Sequence, residues 1–255
     1  MLGAIAGDIV GSRFEGASAP PNGFALFHPD CRFTDDTVCT LAVAAARLDD
    51  GDYARSLRAF VRRHPHRGYG ALFRRWAFAD DAPAYGSWGN GAPMRTAAVG
   101  WLAASADEAR RDAAAQAVVT HDHPDAIAAA QATALAVHLA RRPVPTARIA
   151  ARLESEFGYD LAPRTALTTG FDISARGTVE PALAAALHAE DWETAVRAAV
   201  GLGGDTDTLA CIAGGVAEVV HGLPVDVAAT ARGHLTADLA AVLDRFTTAL
   251  GGPSG

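Results

Sequence analysis

Apolar residues recur at intervals of three and four along most of this chain, and that spacing makes an all-α fold the expectation. Leu2, Ile5, Ala6 and Ile9 form one stripe, Val38, Leu41, Ala42 and Ala45 a second, and Leu209, Ile212, Ala213 and Val216 a third. Residues three and four apart share one helix face, whereas a half-buried strand needs strict alternation. Alanine-rich helices are predicted over 107–119, 125–141, 146–157, 180–189 and 192–200, and the sequence has no runs of alternating β-branched residues. Glycine and proline mark loops at 16–33, 64–70, 80–93, 142–145, 158–164 and 170–180. None reads as a flexible linker and no repeat of fixed period occurs, so residues 1–250 are expected to form one domain of many moderate helices. The tail 251–255 is expected to be disordered.

Length and charge narrow the class. A chain of 255 residues, half of them hydrophobic, can bury a sizeable core. No apolar run is long enough to span a bilayer, because residues such as Asp8, Arg47, Asp107 and Arg110 interrupt the candidates. The first ten residues lack a basic leader and carry Asp8, so an intracellular, cytoplasmic protein without a membrane partner is expected. Cys31, Cys39 and Cys211 are odd in number and form no CxxC pair, which points to buried free thiols rather than disulfides or zinc. A net charge of −7 argues against intrinsic nucleic-acid binding. The exception is the run Arg55, Arg58, Arg62, Arg63, Arg67, Arg74 and Arg75, which reads as a solvated helix face or as a contact surface for a phosphate-bearing substrate.

Two acidic clusters carry the chemistry. Phe33-Thr34-Asp35-Asp36-Thr37 precedes a helix expected near Val38, and Gly203-Gly204-Asp205-Thr206-Asp207-Thr208 precedes one near Leu209. Helix capping accounts for one Asp or Thr at each start. Two carboxylates at each exceed that need. If the four converged they would repel one another without a cation, and oxygen ligands free of His and Cys suit Mg²⁺, Mn²⁺ or Ca²⁺.

Three further blocks accompany them. Gly7-Asp8-Ile9-Val10-Gly11 closes the first helix and leaves Glu15 on the following loop. Ser87-Trp88-Gly89-Asn90-Gly91-Ala92-Pro93-Met94-Arg95 reads as a turn whose backbone N–H groups could hold phosphate or sugar oxygens. Thr120-His121-Asp122-His123-Pro124 offers two histidines as pocket donors, metal ligands or helix-entry residues.

In this order the five blocks resemble the ADP-ribosylglycohydrolase family, which includes dinitrogenase reductase-activating glycohydrolase and ADP-ribosyl-acceptor hydrolases. The likeness runs from Leu2 to about Gly222 and is closest to a compact bacterial branch. It implies a compact orthogonal helical bundle and hydrolysis of the bond joining ADP-ribose to a protein, nucleic-acid or small-molecule acceptor. It also implies two Mg²⁺ ions, with Mn²⁺ a substitute, and a monomer. The implied metal ligands are Thr34, Asp35, Asp36, Asp205, Asp207 and Thr208. Glu15, Asp36 and Asp207 are the implied catalytic carboxylates, with the choice of base among them open. The implied substrate contacts are Gly68, Tyr69 and Gly70 from a glycine-rich turn, Ser87, Gly89, Asn90, Gly91 and Met94 from the GNG block, and His121. Ala92-Pro93, Asp122 and the segment 174–181 depart from the commonest family pattern, the last leaving adenosine or acceptor preference open. Two rivals remain. One is a relative that binds ADP-ribose without hydrolysing it. The other is an HD-type metal phosphohydrolase built on His121-Asp122 with His64, His66 and His138, which leaves both acidic clusters unexplained.

Overall fold

The computed structural model describes residues 1–16, 20, 23–165, 167 and 170–251. Thirteen helices occur among them: α1 (Leu2–Gly11), α2 (Asp35–Leu48), α3 (Tyr53–Arg63), α4 (Ala71–Ala77), α5 (Ala97–Leu102), α6 (Ala106–Val118), α7 (Pro124–Ala140), α8 (Thr146–Phe157), α9 (Ala175–His188), α10 (Trp192–Gly201), α11 (Thr206–His221), α12 (Val225–Gly233) and α13 (Ala237–Ala249). The fold is all-α. No helix among the described residues is long and apolar enough to cross a membrane. The three cysteines are buried free thiols.

The antiparallel pair α1 and α11 forms the centre, and small residues make its close approach possible. A side chain at Gly3 would put its Cβ 2.5 Å from the Gly214 carbonyl oxygen, and one at Gly11 would put it 2.6 Å from Asp207 Cα. Gly7, midway between them, lies closer still to the Ala210 carbonyl. One glycine per helical turn on a single face thus lets backbone pack on backbone, giving up the helix propensity of alanine at those positions. The pairing sets the C-terminal end of α1 against the N-terminal end of α11. Helices α9, α10 and α12 cover the pair on one side, and α2 reaches it with α3, α5 and α13 packed behind. Helix α7, whose alanines at 126, 129, 130, 132, 134 and 136 are buried, packs on α5, α6, α8 and α9. An element apolar around most of its circumference is stable only when surrounded.

Three expectations need correction. Helix α9 starts at Ala175 and runs through Pro181, so the loop expected over 170–180 ends six residues early. Ser174 supplies the cap by accepting from Gly177 N–H at 3.0 Å. Arg164 and Arg176 hold Glu180 on the next turn at 2.9 and 2.7 Å, offsetting the backbone hydrogen bond that proline removes. Second, both acidic clusters straddle their helix starts rather than lying wholly ahead of them: Thr34 caps α2 with Asp35 and Asp36 in its first turn, and Asp205 sits at the N-cap of α11 with Asp207 in its first turn. Third, the arginine run is not one solvated face. It is divided among α3, α4 and the loop between them that carries Arg67, with Arg58 donating to the Ala82 carbonyl at 2.8 Å and Arg62 to that of Ala77 at 2.8 Å. Of the tail 251–255, Gly251 sits in a turn and residues 252–255 lie outside the described residues.

Candidate active site

A cavity of about 490 Å³ opens where α1, α2 and α11 meet. Its floor is acidic: Asp35 and Asp36 come from the first turn of α2, Asp205 and Asp207 from the start of α11, and Glu15 from the turn after α1. Carboxylate oxygens of Asp8, Asp36 and Asp207 lie within 4.8 Å of one another, and so do those of Glu15, Asp205 and Asp207. Asp207 belongs to both groups. Clusters separated by about 170 residues in the chain therefore become one constellation through the packing of α11 on α1 and α2.

Asp8 holds the arrangement from beneath. It is fully buried on α1, and its carboxylate accepts from Thr34 N–H at 2.9 Å, Thr34 Oγ1 at 2.6 Å, Thr37 N–H at 3.1 Å and the Thr37 hydroxyl. These are orphan donors of the first turn of α2, satisfied by a carboxylate from another helix. Asp8 thereby sets the height and rotation of α2 relative to α1. The two clusters also touch directly, since Thr208 Oγ1 donates to Asp36 Oδ2 at 3.2 Å. The remaining oxygen, Asp36 Oδ1, is buried without a hydrogen-bond partner.

The electrostatics follow from this crowding. Burial pushes the Asp35 carboxyl up to about 8, with Asp8 adding to the effect. Burial also lifts Asp36 and Asp207 well above the usual carboxylate range, reinforced by Asp8 at the first and by Asp36 at the second. Glu15 is raised by burial and by Asp205. None of these carboxylates takes part in an ion pair among the described residues. A cluster of buried, like-charged oxygens with one lacking any donor fits a hard divalent cation, which supplies the missing positive charge.

The cavity wall comes from the predicted blocks. Gly68, Gly70, Ser87, Gly89, Asn90, Gly91, Met94 and His121 line it, as do Glu15, Asp35, Asp36, Asp205, Asp207 and Thr208. Thr34 and Tyr69 do not line it. Thr34 is buried below α2 with its hydroxyl on Asp8, and Tyr69 turns its hydroxyl to the His64 carbonyl at 2.9 Å. Gly68 has φ +99° and lies so close to Asp35 Oδ1 that a Cβ would approach it to 3.0 Å, so the turn requires glycine on both counts. Asn90 Nδ2 donates to Asp205 Oδ2 at 2.6 Å and to Thr178 Oγ1 at 3.1 Å, which ties the GNG block to the acidic floor and to α9.

The backbone donors expected from 87–91 are largely engaged within the protein. Ser87 N–H bonds the Thr120 carbonyl, Gly89 N–H the Ser87 hydroxyl, and Asn90 N–H the Ile173 carbonyl. The N–H groups of Trp88 and Gly91 remain without a protein acceptor among the described residues. The other histidines do not gather: His64 bonds Asp238 at 3.0 Å, His138 is buried against Arg142, and neither oxygen cluster contains a histidine. The HD-type reading is therefore set aside. Sequence reasoning missed Asp8 as a site residue, although an Asp within the first apolar stripe was the visible signal. It also missed the exposed rim formed by Leu72, Trp88, Phe171 and Ile173.

An all-α bundle with a carboxylate-floored cavity and a glycine-rich wall offers a site that could hold a hard cation. Comparison makes this specific: the model of the ADP-ribosylglycohydrolase family matches residues 1–252, and the chain belongs to that family of glycosyl-bond hydrolases. It is 26% identical over 302 residues to the ADP-ribosylhydrolase ARH3 of Danio rerio, covering 88% of this chain and 82% of that protein. It is 29% identical over 175 residues to ARH3 of Mus musculus, covering 55% of this chain and 47% of that one. A solved structure described as an ADP-ribosylglycohydrolase-related protein complex superimposes with a TM-score of 0.73 at 26% identity, covering 98% of this chain and 95% of the other.

Proposed function

We propose that this protein hydrolyses the N- or O-glycosidic bond joining ADP-ribose to an acceptor, with two Mg²⁺ ions held by Asp35, Asp36, Asp205 and Asp207 together with Thr34 and Thr208, whose hydroxyls donate their protons to Asp8 and Asp36 and keep oxygen lone pairs for a cation. One observation carries the reading: carboxylates from the starts of α2 and α11 converge on the cavity floor with Asp36 Oδ1 left without a donor. Asp207 belongs to both oxygen groups, so it would serve as a ligand with either set. Bound cations would supply Lewis acidity toward sugar oxygens and water.

The chain's own residues divide the remaining work. Glu15 is the exposed member of the acidic set and makes no side-chain hydrogen bond among the described residues. It is therefore free to orient an attacking water and take its proton, while Asp36 and Asp207 are buried as ligands. Asp8 keeps the α2 cluster in place. Trp88 and Gly91, whose N–H groups are unengaged among the described residues, line the cavity with His121 and would supply donors for diphosphate or ribose oxygens.

The test is release of ADP-ribose from arginine-, serine- and DNA-linked substrates by the purified protein, with Mg²⁺ or with EDTA. Release from at least one substrate, abolished by EDTA, is the expected result. Absence of release from all three, together with Mg²⁺-dependent binding of ADP-ribose, would establish a binding-only relative and refute the hydrolytic reading.

A further inference from the structure

We infer that Arg95 and Thr120 are positioning residues that hold His121 in the tautomer carrying its proton on Nε2, so that the ring presents a donor to the cavity. Arg95 is fully buried and hydrogen-bonds to no carboxylate among the described residues. Its Nε–H donates to Gln116 Oε1 at 2.6 Å, and its Nη2 donates to the Gln116 carbonyl at 2.9 Å and to Thr120 Oγ1 at 3.0 Å. A guanidinium can only donate, so Thr120 Oγ1 must accept this bond. The same oxygen lies 2.7 Å from His121 Nδ1.

One hydroxyl proton decides the tautomer. If Nδ1 is unprotonated, the Thr120 hydroxyl donates to it while accepting from Arg95, so the Thr120 proton, the Thr120 oxygen and Nδ1 are all paired, and only Arg95 Nη1 stays buried without a partner in either tautomer. If Nδ1 carries the proton, the Thr120 oxygen faces two donors, and its own buried proton has no acceptor among the described residues. Buried polar groups left unpaired are disfavoured. Protonation at both nitrogens is opposed by burial and by the Arg95 charge, which keep the ring neutral. The tautomer is thus dictated from behind, by a residue that does not itself touch Nε2.

Two further contacts give the relay its stiffness. Gln116 Nε2 donates to the Ala92 carbonyl at 3.1 Å and to Thr96 Oγ1 at 3.0 Å, which anchors Arg95 to the GNG block it belongs to. On the cavity side, a Cβ at position 91 would lie 2.8 Å from His121 Nε2, so the absent side chain of Gly91 leaves room for that edge of the ring. An Nε2–H in this position suits an anionic oxygen such as that of a diphosphate, and it lacks the lone pair a metal ligand needs. What the donor binds rests on the ADP-ribose reading, whereas the tautomer does not.

Long-range ¹H–¹⁵N correlation at pH 7 on the full-length ¹⁵N-labelled protein reads the tautomer directly. Wild type and Thr120→Ser are expected to show His121 protonated at Nε2 only. Thr120→Val is expected to show a mixture of tautomers and an ADP-ribose Kd raised about tenfold, the scale of one hydrogen bond to a charged oxygen, with Thr120→Ser restoring both. A proton on Nδ1 in wild type overturns the inference even if Thr120→Val fails to fold. So does a Thr120→Val protein with an unchanged tautomer and Kd. A wild-type protein with Nε2–H that does not bind ADP-ribose supports the relay and refutes the ADP-ribose reading instead.

Discussion

Gly11→Ala tests the claim that close packing of α1 on α11 builds the site. The added Cβ would lie 2.6 Å from Asp207 Cα and 2.7 Å from Asp207 N, against 3.4 Å for ordinary contact. The Thr206 carbonyl oxygen is closer still, so the start of α11 must retreat by about 1 Å, because backbone atoms cannot rotate away. Overpacking of this kind costs roughly 1–3 kcal/mol, and we take the upper end because the obstruction is backbone. Alanine returns about 0.5–1 kcal/mol of helix preference, so the net loss is about 2 kcal/mol. For a domain of this size that lowers Tm by roughly 4–8 °C. The consequence for chemistry is larger: a shift near 1 Å in a ligand set can cost about 100-fold in rate. Thermal unfolding and ADP-ribose release at saturating Mg²⁺ are the two assays. Gly201→Ala is the control, since no heavy atom lies within 4 Å of its would-be Cβ, and it should be neutral or slightly stabilising. A Gly11→Ala protein with wild-type Tm and wild-type rate would refute the packing argument.

Two other outcomes are expected. In metal-free protein the raised carboxyls make stability fall with rising pH. Asp35, shifted from 3.8 to about 8, holds in the folded state a proton that the unfolded chain releases, and Asp36 and Asp207 act in the same direction. That contribution is complete below 3.8 and is lost as pH rises through about 8, so Tm should decline across this window and Mg²⁺ should flatten the decline. A metal-free Tm that rises from pH 4 to 8 would contradict it. Asp207→Ala should make the metal-free decline of Tm with pH shallower by removing one of the raised carboxyls, and should abolish the gain on adding Mg²⁺. Retention of the full Mg²⁺-dependent gain would remove Asp207 from the ligand set.

Much of the architecture was legible because helices are local. The stripes at Leu2–Ile9, Val38–Ala45 and Leu209–Val216 follow from 3.6-residue periodicity, and α1, α2 and α11 occur where those stripes lie. Boundaries were less legible where local signals conflicted. Pro181 reads as a loop marker, yet the Ser174 cap and the bonds to Glu180 carry α9 through it. In the site, doubled carboxylates at two helix starts were visible because capping needs only one.

The chain alone determined the helix class, the buried thiols and the residue types available for hard-oxygen chemistry, since each depends on neighbours within a turn or two. Only the tertiary structure decided which groups meet. It brought Asp36 and Asp207 together across Thr208, placed Asp8 beneath α2 as a buried acceptor for its first turn, and turned Tyr69 away from the cavity. It also engaged three of the five N–H groups of 87–91, those of Ser87, Gly89 and Asn90, in loop contacts. Such pairings depend on how closely α1 and α11 approach, and that distance is set by which small residues happen to face each other across about 200 residues of chain.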